Sequence, residues 1–377
     1  LTALRDQFLL DSDVTFLNHG SFGACPKPVF DRYQAWQREA ERQPVEFWGR
    51  RYDGLMNEAR AGLGAFLNAS PDDLVFVPNA TAGINMAARS LKLHPGDEIL
   101  TTDHEYGAMD YTWQFVCHRT GAHYRRHVVP IPVTTPQAFV ESLWAAVTPR
   151  TRVIFISHIT SPTALIFPIA EICKRARAAG ILTVIDGAHA PGQLPLDLTA
   201  LDVDIYTGNL HKWLCAPKGA AFLYVRRELH TQINPLIISW GELPDAPFAL
   251  RNQWQGTRDV TAFLSVAEAI AFQKANDWDA VRERCHGLAS LARERFARRY
   301  GLEPICPDSP EWFGQMITVP LPPCDVLAVK TRLYDAYKVE VPHILWNERP
   351  FLRISFQGYN TEADLDRLMT SLDQILG

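Results

Sequence analysis

The stretch Leu182–Trp213, LTVIDGAHAPGQLPLDLTALDVDIYTGNLHKW, restricts the fold of this chain more than any other. It opens on an apolar run, Leu182 to Ile185, that is too short for a helix and rich in β-branched residues, so a buried strand is expected. Asp186 stands at the exit of that strand and is followed at once by Gly187. A second apolar segment, Val203–Tyr206, leads into Thr207-Gly208-Asn209-Leu210-His211-Lys212. A carboxylate at one strand end and a lysine just past the next are unfavourable to bury without a partner. In open α/β sheets the carboxyl ends of adjacent strands border the ligand crevice, which sets Asp186 and Lys212 before one bound molecule. The apolar neighbours Leu210, Trp213 and Leu214 predict a buried amine with a lowered pKa.

The surrounding chain alternates strands, turns and helices. Leu74–Val77 reads as a buried strand, and Pro78-Asn79-Ala80-Thr81-Ala82-Gly83 opens a helix whose free N–H groups suit a phosphate, although Thr81 also reads as a simple helix cap. The strand Glu98–Thr102 ends in Asp103-His104-Glu105-Tyr106-Gly107. A strand over His123–Val129, a helix over Gln137–Val147 and a strand over Val153–Ser157 follow, the last leading into His158-Ile159-Thr160-Ser161. The helix Pro168–Ala179, stopped by Gly180, is the crossover of a βαβ unit, and Gly219–Val225 is expected as an antiparallel strand. From about residue 262 the pattern changes to long amphipathic helices, a strand over Glu311–Thr318 and a helix over Val326–Tyr337. A last helix opens on the capping box Thr361-Glu362-Ala363-Asp364. Near the start, the strand Val14–Leu17 delivers Asn18-His19-Gly20-Ser21-Phe22-Gly23, whose glycines fit either backbone close to a ligand or an ordinary turn.

At 377 residues the chain exceeds the usual single core, so two domains are expected. A net charge of −5 gives no basic field, which argues against nucleic acid as a partner. Seven cysteines without a CxxC spacing suit a reducing cytosol. No apolar run reaches membrane-spanning length and no signal-peptide core is seen, so a cytoplasmic protein is expected.

A lysine nucleophile paired with an aspartate for a ring nitrogen is what pyridoxal phosphate chemistry requires. A zinc site built from Asp186, His189 and His211 is the rival reading, but it leaves Lys212 unexplained and beside a cation. Arg353, in Phe351-Leu352-Arg353-Ile354-Ser355-Phe356, can grip a substrate carboxylate through two parallel hydrogen bonds; a structural ion pair is the alternative.

Together these motifs resemble the class V aminotransferase family of fold-type I pyridoxal-phosphate enzymes, within it the isopenicillin N epimerase-like branch, which is related to the cysteine desulfurases. The resemblance runs from Phe16-Leu17-Asn18-His19-Gly20 to Arg353-Ile354-Ser355. It implies an α/β fold with a mainly parallel seven-stranded sheet flanked by helices, plus a small C-terminal α+β domain. The implied division is an arm over 1–15 packed on the small domain, a large cofactor domain over 16–260 and a small domain over 261–377. Lys212 would carry the cofactor, Asp186 would face its pyridine nitrogen and His189 its phenolic oxygen. Ala80, Thr81, Asn209 and His211 are further implied cofactor contacts, with His211 a donor to the phosphate. Thr257 would reach the phosphate of a neighbouring subunit, which implies a homodimer with shared sites. Tyr106, or alternatively His104, would stack on the ring. Asn18, His19 and Arg353 are the implied substrate contacts, and the substrate an L-amino acid or a metabolite containing one. The implied reaction is α-proton abstraction followed by epimerisation, with C–S bond cleavage or transamination as alternatives.

Three positions depart from the desulfurase pattern. Ala80 replaces a hydroxyl residue, and Ser161 stands where asparagine would contact cofactor and substrate. The segment Tyr337–Leu352 holds no cysteine, and Cys324 lies too early, so persulfide chemistry is not expected. A sugar-modifying or regulatory relative that uses the cofactor otherwise is the other class of reading; intact Lys212, Asp186 and Arg353 favour the amino-acid enzyme.

Overall fold

The computed structural model describes residues 4–243 and 245–377, so residues 1–3 of the expected arm lie outside the described residues. Thr15–Phe16 (β1) is the first strand, and it pairs in parallel with Val339–Glu340, far along the chain. The helices Lys27–Arg42 (α1) and Tyr52–Leu67 (α2) follow.

Leu74–Val77 (β2), Glu98–Thr102 (β3), His123–His127 (β4), Thr151–Ser157 (β5), Leu182–Asp186 (β6), Ile205–Asn209 (β7) and Ala221–Val225 (β8) build one seven-stranded sheet in the order β2-β8-β7-β6-β5-β3-β4. β3 to β7 pair in parallel, while β8 runs antiparallel to both β7 and β2. Alternate residues serve two separate cores. Val75, Val77, Val153, Phe155 and Val184 pack on one face, and Leu74, Phe76, Ile154, Ile156 and Ile185 on the other. Both faces are dry, which is why these strands read as unbroken apolar runs instead of alternating ones. Ala80–Ser90 (α3) and Gly107–Thr120 (α4) cover the first face through Ile84, Ala87, Met109 and Trp113. Residues of α1, α2 and Ile169–Ala178 (α5), among them Val29, Met56, Leu63 and Ile172, cover the second.

The C-terminal part supplies Val266–Ala275 (α6), Trp278–Tyr300 (α7), Met316–Pro320 (β9), Val326–Tyr337 (α8), Val339–Glu340 (β10), His343–Trp346 (β11), Arg349–Ser355 (β12) and Glu362–Leu376 (α9). Its antiparallel sheet has the order β11-β12-β9 and places Arg353 opposite Thr318. The last helix opens as its sequence signals, with the Asp364 carboxylate accepting the Thr361 N–H at 2.9 Å. No helix among the described residues is long and apolar enough to cross a membrane.

Some elements differ from their expected bounds. The strand expected over Glu311–Thr318 begins only at Met316, because Trp312 and Phe313 belong to a turn whose N–H groups bond to the Ser309 carbonyl. Both aromatics are buried, so their apolar signal comes from packing and carries no strand pairing. The helix expected over Gln137–Val147 spans Pro136–Trp144, and the strand expected to Val129 ends at His127.

Candidate active site

The register of the central sheet brings the site together. Ser157 at the end of β5 lies opposite Asp186 at the end of β6, which lies opposite Thr207 in β7. Gly187 lets the chain turn sharply here, since a Cβ would sit 2.2 Å from the Tyr206 ring. Beyond these strand ends opens a cleft with an empty volume of about 990 Å³, bordered by Asp186, His189, Asn209, His211, Lys212 and, from the C-terminal sheet, Arg353. The N-terminus of α3 adds Asn79, Ala80 and Thr81, and Tyr106 borders the cleft from the loop before α4. Asn79 caps α3 by accepting the Ala82 N–H at 2.9 Å, and Asn209 accepts the Ala80 N–H at 2.8 Å.

Lys212 sits in surroundings that disfavour its charged form. Burial, together with the repulsion of the Arg353 guanidinium, lowers its pKa to about 7, and Asp186 only partly opposes this. Its Nζ lies 3.1 Å from His189 Nε2, while His189 Nδ1 accepts the Trp213 indole N–H at 3.2 Å. His211 donates Nδ1–H to the Ala220 carbonyl at 3.0 Å, and burial lowers its pKa to about 4. The neutral His211 ring therefore turns a lone pair outward from Nε2, and donation to a phosphate requires the anion itself to draw a proton onto the ring.

Asp186 is buried, and one of its oxygens accepts the Ala188 N–H at 2.9 Å. Burial raises its pKa, and the Lys212 charge works in the opposite direction. Just behind it lies Glu105, a carboxyl that motif reasoning passed over. Ser157 donates to Glu105 through its N–H at 2.9 Å and its hydroxyl at 2.6 Å, and Thr102 donates at 2.7 Å. Burial nevertheless pushes Glu105 up to about 8, against the lowering effect of these three donors.

Arg353 is 5% exposed, yet it forms no ion pair among the described residues. Its guanidinium donates to the Ser161 carbonyl at 2.7 Å, the Ser161 hydroxyl at 3.1 Å and the Ser21 hydroxyl at 3.0 Å. Its buried Nε has no partner among the described residues, and burial lowers its pKa to about 10. A buried cation held by neutral groups at the edge of a cleft is suited to an incoming anion.

Several residues singled out from sequence lie elsewhere. His104 is fully buried, bonded to Thr163 at 2.7 Å and packed on Trp346 at 4.4 Å, so it does not border the cleft. Asn18 donates to Glu340 at 2.8 Å, and His19 bridges the Tyr359 hydroxyl at 2.9 Å and the Lys212 carbonyl at 3.0 Å. Neither borders the cleft; Gly20, Ser21 and Phe22 of the same turn do. The glycine turn instead approaches the chain's own backbone, since a Cβ on Gly23 would lie 2.0 Å from the His211 carbonyl. Thr257 is exposed and stands outside the cleft of its own chain. Ser161, by contrast, does border the cleft, and there it also holds Arg353, a role its position in the sequence could not indicate.

Among the described residues no group of three or more His, Cys, Asp and Glu side chains is arranged to hold a metal ion. The donors that are present fit pyridoxal phosphate: a carboxylate for the ring nitrogen, an amine for the aldehyde, a helix N-terminus for the phosphate and an unpaired arginine beyond them. The sequence profile of the class V aminotransferases matches residues 24–368. The chain belongs to the class V aminotransferase family. Enzymes of this family depend on pyridoxal phosphate, and this chain is one of them. Isopenicillin N epimerase of Amycolatopsis lactamdurans is 39% identical, with 98% of this chain and 97% of that protein aligned. A probable chloroplastic L-cysteine desulfhydrase of Arabidopsis thaliana is 28% identical over 97% of this chain and 84% of its own length. In fold, the class V chain is similar to a cysteine desulfurase of Thermococcus onnurineus, with a TM-score of 0.86, 18% identity and coverage of 100% and 98%.

Proposed function

We propose that this enzyme removes the α-proton of an L-amino acid, or of a metabolite containing one, and that Cα is reprotonated on the opposite face, as in an epimerase. The observation that carries this reading is the meeting of a near-neutral amine, Lys212, with an unpaired buried cation, Arg353, in one cleft. Arg353 binds the substrate carboxylate and thereby fixes the Cα–H in the cleft, with Ser21 and Ser161 holding the guanidinium fork in place. When bound, pyridoxal phosphate supplies an electron-poor ring that acidifies the Cα–H of an amino acid joined to it. Lys212 takes the proton on its neutral amine, for which a pKa near 7 is suited at neutral pH, and inversion requires that a second group deliver a proton to the opposite face of Cα. Asp186 would hold the ring nitrogen, Tyr106 would lie against the ring, and Asn79, Ala80, Thr81 and His211 would hold the phosphate.

The similarity to isopenicillin N epimerase favours inversion, and the similarity to a desulfhydrase favours C–S cleavage as the second reading. The products decide between them. A panel of L-amino acids and amino-acid-containing peptides, followed by chiral chromatography, is expected to yield the D-epimer at Cα. Pyruvate with ammonia and a sulfur product would mark the lyase, and transfer of the amine to an added keto acid the aminotransferase. Arg353→Ala is expected to lower kcat/KM by roughly a hundredfold, about 3 kcal/mol, for substrates with a free α-carboxylate. An unchanged kcat/KM in this variant contradicts the assignment of the carboxylate site.

The same reading divides the chain into an arm, a cofactor domain over 16–260 and a small domain over 261–377. The β1–β10 pairing and the bond from Leu4 N–H to the Gly358 carbonyl at 3.0 Å support an arm tied to the small domain. It also makes the protein a cytoplasmic homodimer with sites completed across the interface, as the exposed Thr257 and the exposed apolar side chains Phe22, Tyr111, Ile238 and Trp240 support. Light scattering is expected to give twice the 42.5 kDa chain mass for the active species. A fully active monomer overturns this arrangement.

A further inference from the structure

We infer that Trp213 fixes the tautomer of His189, so that His189 presents an N–H to Lys212 and engages its amine as a hydrogen-bond acceptor. The chemistry of one group decides the chain of bonds. An indole nitrogen can only donate. Trp213 Nε1 lies 3.2 Å from His189 Nδ1, with both residues buried, so Nδ1 must carry the lone pair. The opposite tautomer would set two N–H groups against each other between two buried side chains.

The His189 ring is neutral. It is buried, which disfavours added charge, and the Arg353 guanidinium works in the same direction. A neutral imidazole with a bare Nδ1 holds its one proton on Nε2, the atom 3.1 Å from Lys212 Nζ. An ammonium has no lone pair to receive that proton, so this bond exists only with the neutral amine. The residue immediately after the lysine therefore favours the lysine's neutral form by way of a histidine from another turn.

The parts of this relay are rigid. Trp213 is fully buried, its ring centroid is 5.0 Å from that of His19, and its carbonyl accepts the Gln273 amide at 2.7 Å. The His189 carbonyl accepts the Gln193 amide at 2.9 Å, which anchors the histidine's own turn. Asp186, the one group near Lys212 that favours the ammonium, lies at the end of the adjacent strand and is itself buried. The consequence for catalysis rests on Lys212 being the reacting amine, whereas the tautomer does not depend on that assignment.

Two measurements on the 377-residue chain freed of cofactor test the inference. Nitrogen-15 spectra of histidine-labelled protein, with the His189 signal assigned by its loss in His189→Gln, are expected to show a neutral ring protonated on Nε2. A ring protonated on Nδ1 in the wild-type chain overturns the proposal outright, whether or not any variant folds. The second measurement is the pH dependence of Lys212 acylation, followed by peptide mass. A wild-type midpoint near 7 is expected. Trp213→Phe, which keeps an aromatic ring but loses the donor, should raise that midpoint by about one pH unit, a tenfold loss of neutral amine on the acid side. In His189→Gln the side-chain amide offers an NH2 donor in either case, so adding Trp213→Phe should bring little further shift. An unshifted midpoint in Trp213→Phe, or an equal shift in the glutamine background, shows that Trp213 acts only by packing and overturns the relay. A chain without epimerase activity that still carries the Nε2 proton refutes the proposed function and leaves this inference standing.

Discussion

Lys212→Ala is expected to fold, to retain cofactor bound without a covalent link, and to turn over at least about a thousandfold more slowly than the wild type. The size of the loss follows from what else the cleft contains. No other lysine among the described residues borders it, and Lys218, the nearest in sequence, is tied to the Gly23 carbonyl at 2.9 Å. His189 cannot replace the lost base, because its outward nitrogen carries the proton and its pKa lies well below the ordinary histidine value. Glu105 is held behind Ser157 and does not border the cleft. Steady-state turnover, with the absorbance of bound cofactor as a check on occupancy, measures the effect. Activity within tenfold of the wild type would assign the proton transfer to another group.

Asp186→Asn should be the second most damaging substitution, with a loss on the order of a hundredfold or more, about 3 kcal/mol of barrier. Asparagine keeps the volume at the end of β6, and its amide oxygen can still accept the Ala188 N–H that Asp186 now accepts at 2.9 Å. The variant therefore changes charge with little change of shape. Of the two carboxyl groups, Asp186 borders the cleft and Glu105 does not, so the proposed function assigns the ring nitrogen to Asp186. Without it, a bound pyridine nitrogen loses the group that keeps it protonated and the ring becomes a weaker electron sink. Retained cofactor with wild-type turnover would remove this role from Asp186.

How much of this was legible from sequence depended on the range of the interactions. β6, Asp186 and Gly187 were legible because a strand buried on both faces is a continuous apolar run, and its end is marked by the change to polar residues. The capping box at Thr361 was legible because both of its partners lie within one turn. His104 and Tyr106 could not be separated that way. They share one loop, and their directions are set by Thr163 and Trp346 on one side and by the open cleft on the other. Asn18 and His19 are substrate contacts only by the family resemblance, and within the chain Glu340, Tyr359 and the Lys212 carbonyl hold their side chains. Ser21 carried no signal of its own, since its importance comes from Arg353, a residue of the C-terminal sheet. Glu105 was hidden for a similar reason: nothing within its own loop shows that Ser157 and Asp186 close over it.

The most direct measurement is deuterium incorporation. The wild-type chain, saturated with pyridoxal phosphate, is incubated in D2O with the panel of L-amino acids and amino-acid-containing peptides, and recovered substrate and product are examined for deuterium at Cα. Exchange at Cα is expected for at least one member of the panel, dependent on Lys212 and Arg353, whether inversion or elimination follows. A chain that is fully loaded with cofactor and leaves every Cα–H in place across the panel would contradict the assignment of Lys212 as the base that takes the α-proton.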